Sequence, residues 1–108
     1  MKYNFKKAMT TISGEPITPA GSVAAEGDLI LTAETVVINA LMGTYDSENL
    51  SADKKLRRFR IAMQIQKQPE DCELTVEEVA EIKECVGKGY ATLIVGQMFE
   101  FLEGKNGN

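Results

Sequence analysis

The chain has 108 residues, a formal net charge of −4, two cysteines and no histidine or tryptophan. This length suits a single domain that buries one core with little surplus stability. The negative charge argues against a protein whose whole surface attracts nucleic acid or anionic lipid. Without histidine, Cys72 and Cys85 do not make a zinc site, and we expect no metal and no cofactor. Free thiols in a reducing cytoplasm are a simpler interpretation of the two cysteines than the alternative, a disulfide between them.

Residues 1–31 predict an N-terminal β-hairpin arm followed by a flexible loop. Tyr3 and Phe5 begin a partial alternation, and the sequence SGEP at residues 13–16 is a turn signal. The small residues of the stretch 19–27 are typical of a loop. The N-terminus lacks the apolar region of a signal peptide, and no apolar run approaches the roughly 20 residues that span a bilayer. We therefore expect no membrane segment.

Residues 32–104 predict a bundle of three to four helices, which makes the fold class α+β and mainly α. Thr32 is a plausible N-cap for a first helix over residues 33–42, and Gly43 follows its end. Ser51 is positioned to cap a second helix that runs to about residue 67, and Pro69 then indicates a loop at residues 68–73. Residues 105–108 predict a disordered tail.

The third helix has the clearest start signal in the chain. Thr75 and Glu78 form a T-x-x-E capping box at its first turn. On a helical wheel, Glu77, Glu81 and Glu84 lie opposite the apolar side, which predicts a solvated acidic face. A catalytic carboxylate pair would need a concave, partly dry environment, and nothing near these glutamates in the sequence suggests one.

Gly87, Lys88 and Gly89 invite a comparison with phosphate-binding loops. A P-loop requires G-x-x-x-x-G-K-[ST], but glycine stands here in place of the serine or threonine, and the segment follows a helix instead of a strand. The two glycines instead predict an interruption or kink before a fourth helix over about residues 90–103. Whether the third and fourth helices form one kinked rod is left open.

The second helix carries the strongest local charge signal. Its basic cluster, which gives the possible nucleic-acid contacts, consists of Lys54, Lys55, Arg57, Arg58 and Arg60. The projection spreads these cations around the helix, while Leu56, Phe59 and Met63 form one apolar face and Ile61 and Ile65 point nearly opposite. Two apolar sides indicate a helix that is central or shared between subunits, and its cations are expected to pair with the acidic third helix.

The fourth helix has a wide apolar arc. Either the core of this small domain covers the whole arc, or part of the arc stays exposed. Uncovered apolar surface often marks a protein interface, and core burial alone is the competing interpretation. The predicted interface residues are Tyr90, Ile94, Val95, Met98, Phe99, Phe101 and Leu102.

A set of residues in the C-terminal two-thirds of the chain carries a resemblance. It comprises Leu50, Ser51, Lys55 and Arg58, then Leu74, Thr75, Glu77, Glu78, Ile82, Lys83, Val86, Lys88 and Tyr90, and then Leu93, Val95, Gly96, Gln97, Leu102 and Glu103. This arrangement resembles small uncharacterised proteins encoded by tailed bacteriophages and prophages. The resemblance implies a phage or prophage origin and a place of action in the cytoplasm of a bacterial host cell. It supplies no catalytic residue.

These observations favour a non-enzymatic interaction protein that forms a homo-oligomer or binds a host or phage protein through an apolar helical surface. The alternative is a nucleic-acid accessory protein that uses the basic second helix. An enzyme built on the glutamates of the third helix is a weaker third class.

Overall fold

The computed structural model describes residues 1–45 and 48–104, so the predicted tail at 105–108 lies outside the described residues. The elements in chain order are β1 (Lys2–Tyr3), α1 (Ala33–Met42), α2 (Ala52–Lys67), β2 (Cys72–Glu73), α3 (Val76–Gly89) and α4 (Thr92–Glu103). The predicted fold class, α+β and mainly α, is confirmed.

Each of the first three helices begins at a residue whose side chain satisfies a free backbone amide. The hydroxyl oxygens of Thr32 and Ser51 accept hydrogen bonds at the starts of α1 and α2. At α3, the Thr75 hydroxyl accepts from the Glu78 amide at 3.1 Å while the Glu78 carboxylate accepts from the Thr75 amide at 2.9 Å. The predicted capping box is therefore confirmed.

The residue type of Gly87 and Gly89 predicts an interruption of α3, but the helix is not interrupted at either glycine. α3 runs through both and ends at Gly89. The chain leaves the helical conformation at Tyr90 and Ala91 before α4 begins at Thr92, so α3 and α4 are two separate helices.

The N-terminal segment forms antiparallel pairings at more than one place. Thr10 bridges to Pro16 around the predicted turn, and Ile17 bridges to Val23 in a second turn. β1 itself pairs with β2, Lys2 opposite Glu73, within a stretch that the sequence assigned to a loop. This two-stranded sheet joins the N-terminal segment to the connection between α2 and α3.

A single apolar core draws on both the N-terminal segment and the helices. Phe5 and Met9 are fully buried alongside Val36 of α1, Ile82 of α3 and Met98 of α4. No helix in the described part of the chain is both long and apolar enough to cross a membrane.

Candidate interaction surface

The helix α2 has one buried side and one exposed side. Ile61, Ala62 and Ile65 are buried, and Arg58 shares their side because it precedes them by one helical turn. Arg58 is 1% exposed, so this cation lies in the interior with the apolar residues. The sequence predicted a helix that is central or shared between subunits, and within this chain only one of its two apolar sides is buried.

The buried Arg58 is neutralised by two carboxylates. Its Nε donates to Glu81 of α3 at 2.5 Å, and its two terminal nitrogens donate to the two oxygens of Glu48 at 2.8 and 2.7 Å. Lys88 donates to Glu48 at 2.6 Å and to Glu84 at 3.1 Å. A bidentate guanidinium–carboxylate pair of this kind fixes the orientation of both groups. The network therefore joins the α1–α2 connection to α2 and α3.

The pKa values follow these contacts. Hydrogen bonds from Arg58 and then Lys88 lower the pKa of Glu48 to about 2. The hydrogen bond to Glu48, followed by that to Glu81, raises the pKa of Arg58, and Glu48 likewise raises that of Lys88. These shifts favour the charged forms of Glu48, Arg58 and Lys88, so the pairing that joins the three side chains stabilises the fold.

Two predicted placements are corrected by this network. Arg58, a proposed nucleic-acid contact, is buried and paired, and cannot reach a phosphate. Glu81, placed on a solvated acidic face, is 6% exposed because it turns toward Arg58. The broader expectation that cations of the second helix pair with the acidic third helix is confirmed by Arg58–Glu81 and by Lys54–Glu84 at 3.9 Å.

The exposed side of α2 is an apolar stripe with cations beside it. Leu56, Phe59 and Met63 are 45%, 50% and 50% exposed, and their spacing places them on one face. Four exposed cations on the same helix form no ion pair within the described residues, namely Lys55, Arg57, Arg60 and Lys67. We call these seven residues the α2 outer face.

The apolar stripe continues from α2 toward the end of α1. A cleft of about 280 Å³ lies between the two helices and is lined by Met42 and Phe59 among others. Met42 is itself 48% exposed. The exposed apolar surface is thus contributed by two elements, and Phe59 lies at their junction.

The predicted interface on α4 is mostly interior. Four of its seven residues are buried, namely Ile94, Met98, Phe101 and Leu102. The other three pack against the same core and are partly buried, namely Tyr90, Val95 and Phe99. The domain's own core therefore covers most of this helix, and the buried residues cannot meet a partner in this fold.

The cover over α4 comes from the N-terminal segment. The rings of Tyr3 and Phe5 lie 5.4 Å from the ring of Phe101, centroid to centroid. The Tyr3 hydroxyl also donates to the Leu102 carbonyl at 2.6 Å. The sequence could not indicate this cover, since it depends on the pairing of β1 with the distant β2.

The glycine–lysine–glycine segment has a packing role at the end of α3. A Cβ atom on Gly89 would lie 2.8 Å from the hydroxyl of Tyr45, and one on Gly43 would lie equally close. The Tyr45 hydroxyl donates to the Ala40 carbonyl at 2.6 Å, which holds the ring between the two glycines. With Lys88 bound to Glu48, this segment fixes the α1–α2 connection, and no feature of it matches a phosphate loop.

The two cysteines are buried and unpaired with each other. Burial raises the pKa of Cys85 to about 11 and also raises the pKa of Cys72. Neither thiol has the lowered pKa of a reactive cysteine. In residues 1–45 and 48–104, no three histidine, cysteine, aspartate or glutamate side chains form a group that could hold a metal ion.

The chain matches no protein-family model, no curated protein and no solved structure. Among the exposed apolar residues of the described chain, Leu56, Phe59 and Met63 share one face of a single helix.

Proposed function

We propose that this chain is a non-enzymatic interaction protein that binds another protein through the α2 outer face. One observation supports the proposal above all others. Leu56, Phe59 and Met63 leave about half of their side chains in water on a helix whose other side is fully packed. Grouped apolar residues of this kind are typical of protein-binding surfaces, where aromatic and methionine side chains supply much of the binding free energy.

The setting of this binding follows from the resemblance to phage and prophage proteins. We place it in the cytoplasm of a bacterial host cell, with a host protein, a phage protein or a second copy of this chain as the partner. The surface is the one that the sequence identified as the second apolar side of its central helix, and it replaces α4 as the proposed interface.

Photo-crosslinking tests this function. A photo-reactive amino acid in place of Phe59 is expected to form an adduct with a protein in host lysate or with the purified chain. The same amino acid in place of Val76, which is 70% exposed on α3, is the matched control. Once the captured protein is identified, its purified form should bind this chain, and Phe59→Ser should raise the Kd by about tenfold or more. Equal adducts at both positions, or none at Phe59, contradict the proposal.

Nucleic-acid binding is a second candidate because the α2 outer face carries four cations that form no ion pair with residues 1–45 or 48–104. Fluorescence anisotropy with short DNA and RNA at low and moderate salt tests it. Binding that weakens with salt and with Arg57→Ala and Arg60→Ala, but not with Lys2→Ala away from α2, supports this candidate. The exposed Leu56 and Met63 favour the protein partner, since a phosphate backbone offers them no apolar contact.

A further inference from the structure

The charges of this chain are divided between two exposed regions. From residue 8 to residue 53 the sequence contains no lysine or arginine. Within this stretch, residues 11–30 form what we call the N-terminal loop, whose charged residues are Glu15, Glu26 and Asp28. These three are exposed. The loop is therefore acidic, whereas the α2 outer face is basic.

The N-terminal loop also exposes apolar residues. Ile12 is 95% exposed and Leu29 is 76% exposed, and Val23 and Ile30 are exposed as well. All four lie within 19 consecutive residues of one loop, residues 12–30. The loop thus combines apolar and acidic groups, which complements the apolar and basic groups of the α2 outer face.

Hydrogen bonds turn the backbone of the N-terminal loop at two places, and a side chain of α4 contacts its base. The Thr11 amide donates to the Glu15 carbonyl and the Thr18 amide donates to the Ser22 carbonyl, each at 2.8 Å. At its base, the Gln97 side chain of α4 accepts from the Thr10 amide at 2.9 Å and donates to the Thr10 carbonyl at 2.8 Å.

The loop does not meet the α2 outer face within its own chain. Among the residues that the structure describes, no hydrogen bond or ion pair joins residues 11–30 to α2. The carboxylates of Glu15 and Glu26 form no ion pair or hydrogen bond with any described side chain. Each chain therefore displays two complementary surfaces that do not meet each other in the described part of the chain.

We propose, building on the proposed function, that the partner of the α2 outer face is the N-terminal loop of a second copy of this chain. A twofold dimer that forms this contact twice satisfies both surfaces of both chains. Two contacts also help the pair to reach the roughly 800 Å² per chain that stable interfaces bury. Direct contact of one α2 outer face with another is disfavoured, because it would bring two basic surfaces together.

Charge exchange tests this contact. One variant carries Arg60→Glu and Lys67→Glu, so that its α2 outer face becomes more acidic. The other carries Glu15→Lys and Glu26→Lys, so that its loop becomes more basic. All four positions are exposed, and circular dichroism checks that both variants fold. Sedimentation velocity of each variant alone should show self-association weakened by about tenfold or more relative to the unaltered chain.

An equimolar mixture of the two variants gives the deciding measurement. In a mixed dimer the unaltered acidic loop of the first variant faces the unaltered basic helix of the second. The other contact, between the loop made basic and the helix face whose remaining cations are balanced by two new carboxylates, carries no net like-charge repulsion. The mixture should therefore regain dimers. A mixture that stays monomeric, or variants that dimerise as well as the unaltered chain, overturns the proposed contact.

The outcomes separate this inference from the proposed function. If the unaltered chain is monomeric but a photo-reactive group at position 59 captures a different protein, the second copy is the wrong partner and the function stands. If position 59 captures no protein at all, the proposed function fails. Salt-dependent capture of nucleic acid at α2 in place of protein overturns both.

Discussion

At the scale of single residues, Arg58 shows how a charge can be held inside a domain of this size. All three side-chain nitrogens of Arg58 donate hydrogen bonds to the carboxylates of Glu48 and Glu81. Removing one partner of a buried ion pair costs more than the pair contributes, because the remaining charge stays buried without compensation. Arg58→Met is therefore expected to lower the free energy of unfolding by about 3–5 kcal/mol.

Urea unfolding measures this effect, with Arg60→Met as the matched control. Arg60 lies two positions away on α2 but is exposed and forms no ion pair with a described residue. Its replacement should change the free energy of unfolding by less than about 0.5 kcal/mol. If the two variants have the same stability, the buried network does not hold the fold together.

The pKa of Glu48 makes a second prediction, which concerns pH. Its pKa falls from 4.5 to about 2 in the folded chain, so the ionised form stabilises the fold. This stabilisation is complete above pH 4.5 and is lost as the pH falls from 4.5 toward 2. Thermal unfolding across this range should show a smaller loss of Tm for Glu48→Gln, which starts from a lower Tm at pH 7. Glu77→Gln, at an exposed position on α3, should keep the pH dependence of the unaltered chain.

At the scale of elements, the end of α3 depends on the close approach of Tyr45. Gly89→Ala gains about 1 kcal/mol of helix propensity but forces a Cβ to within 2.8 Å of the Tyr45 hydroxyl. Overpacking of this kind costs about 1–3 kcal/mol, so the net effect is destabilising. In a Tyr45→Phe background the nearest ring carbons lie at 3.4 and 3.5 Å, and the same change should be neutral or stabilising.

A double-mutant cycle measured by urea unfolding tests this reversal of sign. Tyr45→Phe alone should cost about 1 kcal/mol through loss of the hydrogen bond to Ala40. If Gly89→Ala destabilises both backgrounds equally, the glycine is required for another reason.

The elements also show which parts of this fold the sequence can predict. The caps at Thr32, Ser51 and Thr75 were predictable because each signal lies within a few residues of the helix start. The burial of Arg58 could not be predicted, because its two partners, Glu48 and Glu81, lie 10 and 23 positions away in the sequence. The spacing of Arg58 from the buried Ile61 and Ile65 is the one signal that could have indicated it.

The burial of α4 could not be predicted from the sequence for the same physical reason, since the residues that cover it are distant along the chain. A helical wheel shows that its apolar arc is wide but not what covers it. The cover is Tyr3 and Phe5, and β1 reaches that place by pairing with residues 72 and 73. The exposed stripe on α2 could be recognised as a second apolar side, yet only the packing shows which of the two sides stays in water.

At the scale of the whole molecule, the N-terminal loop and the α2 outer face are both apolar and exposed, so the proposed dimer needs a source of specificity. In the proposed dimer, the opposite charges of the N-terminal loop and the α2 outer face would provide specificity, because contacts between two loops or between two helices would bring like charges together. Apolar contact supplies most of the binding free energy in such an interface, and the charges supply orientation and rate of association. The two contributions respond differently to salt and to mutation.

Self-association is therefore expected to weaken, but not vanish, between about 0.05 M and about 0.5 M NaCl, since exposed charges are screened over a shorter distance at higher salt. Phe59→Ser removes the central apolar contact and should weaken self-association at both salt concentrations. Val76→Ser, on exposed apolar surface of α3, should have no effect at either. Sedimentation velocity measures all three chains under identical conditions. Association that strengthens with salt, or that Val76→Ser weakens as much as Phe59→Ser, would show that the chains meet through another surface.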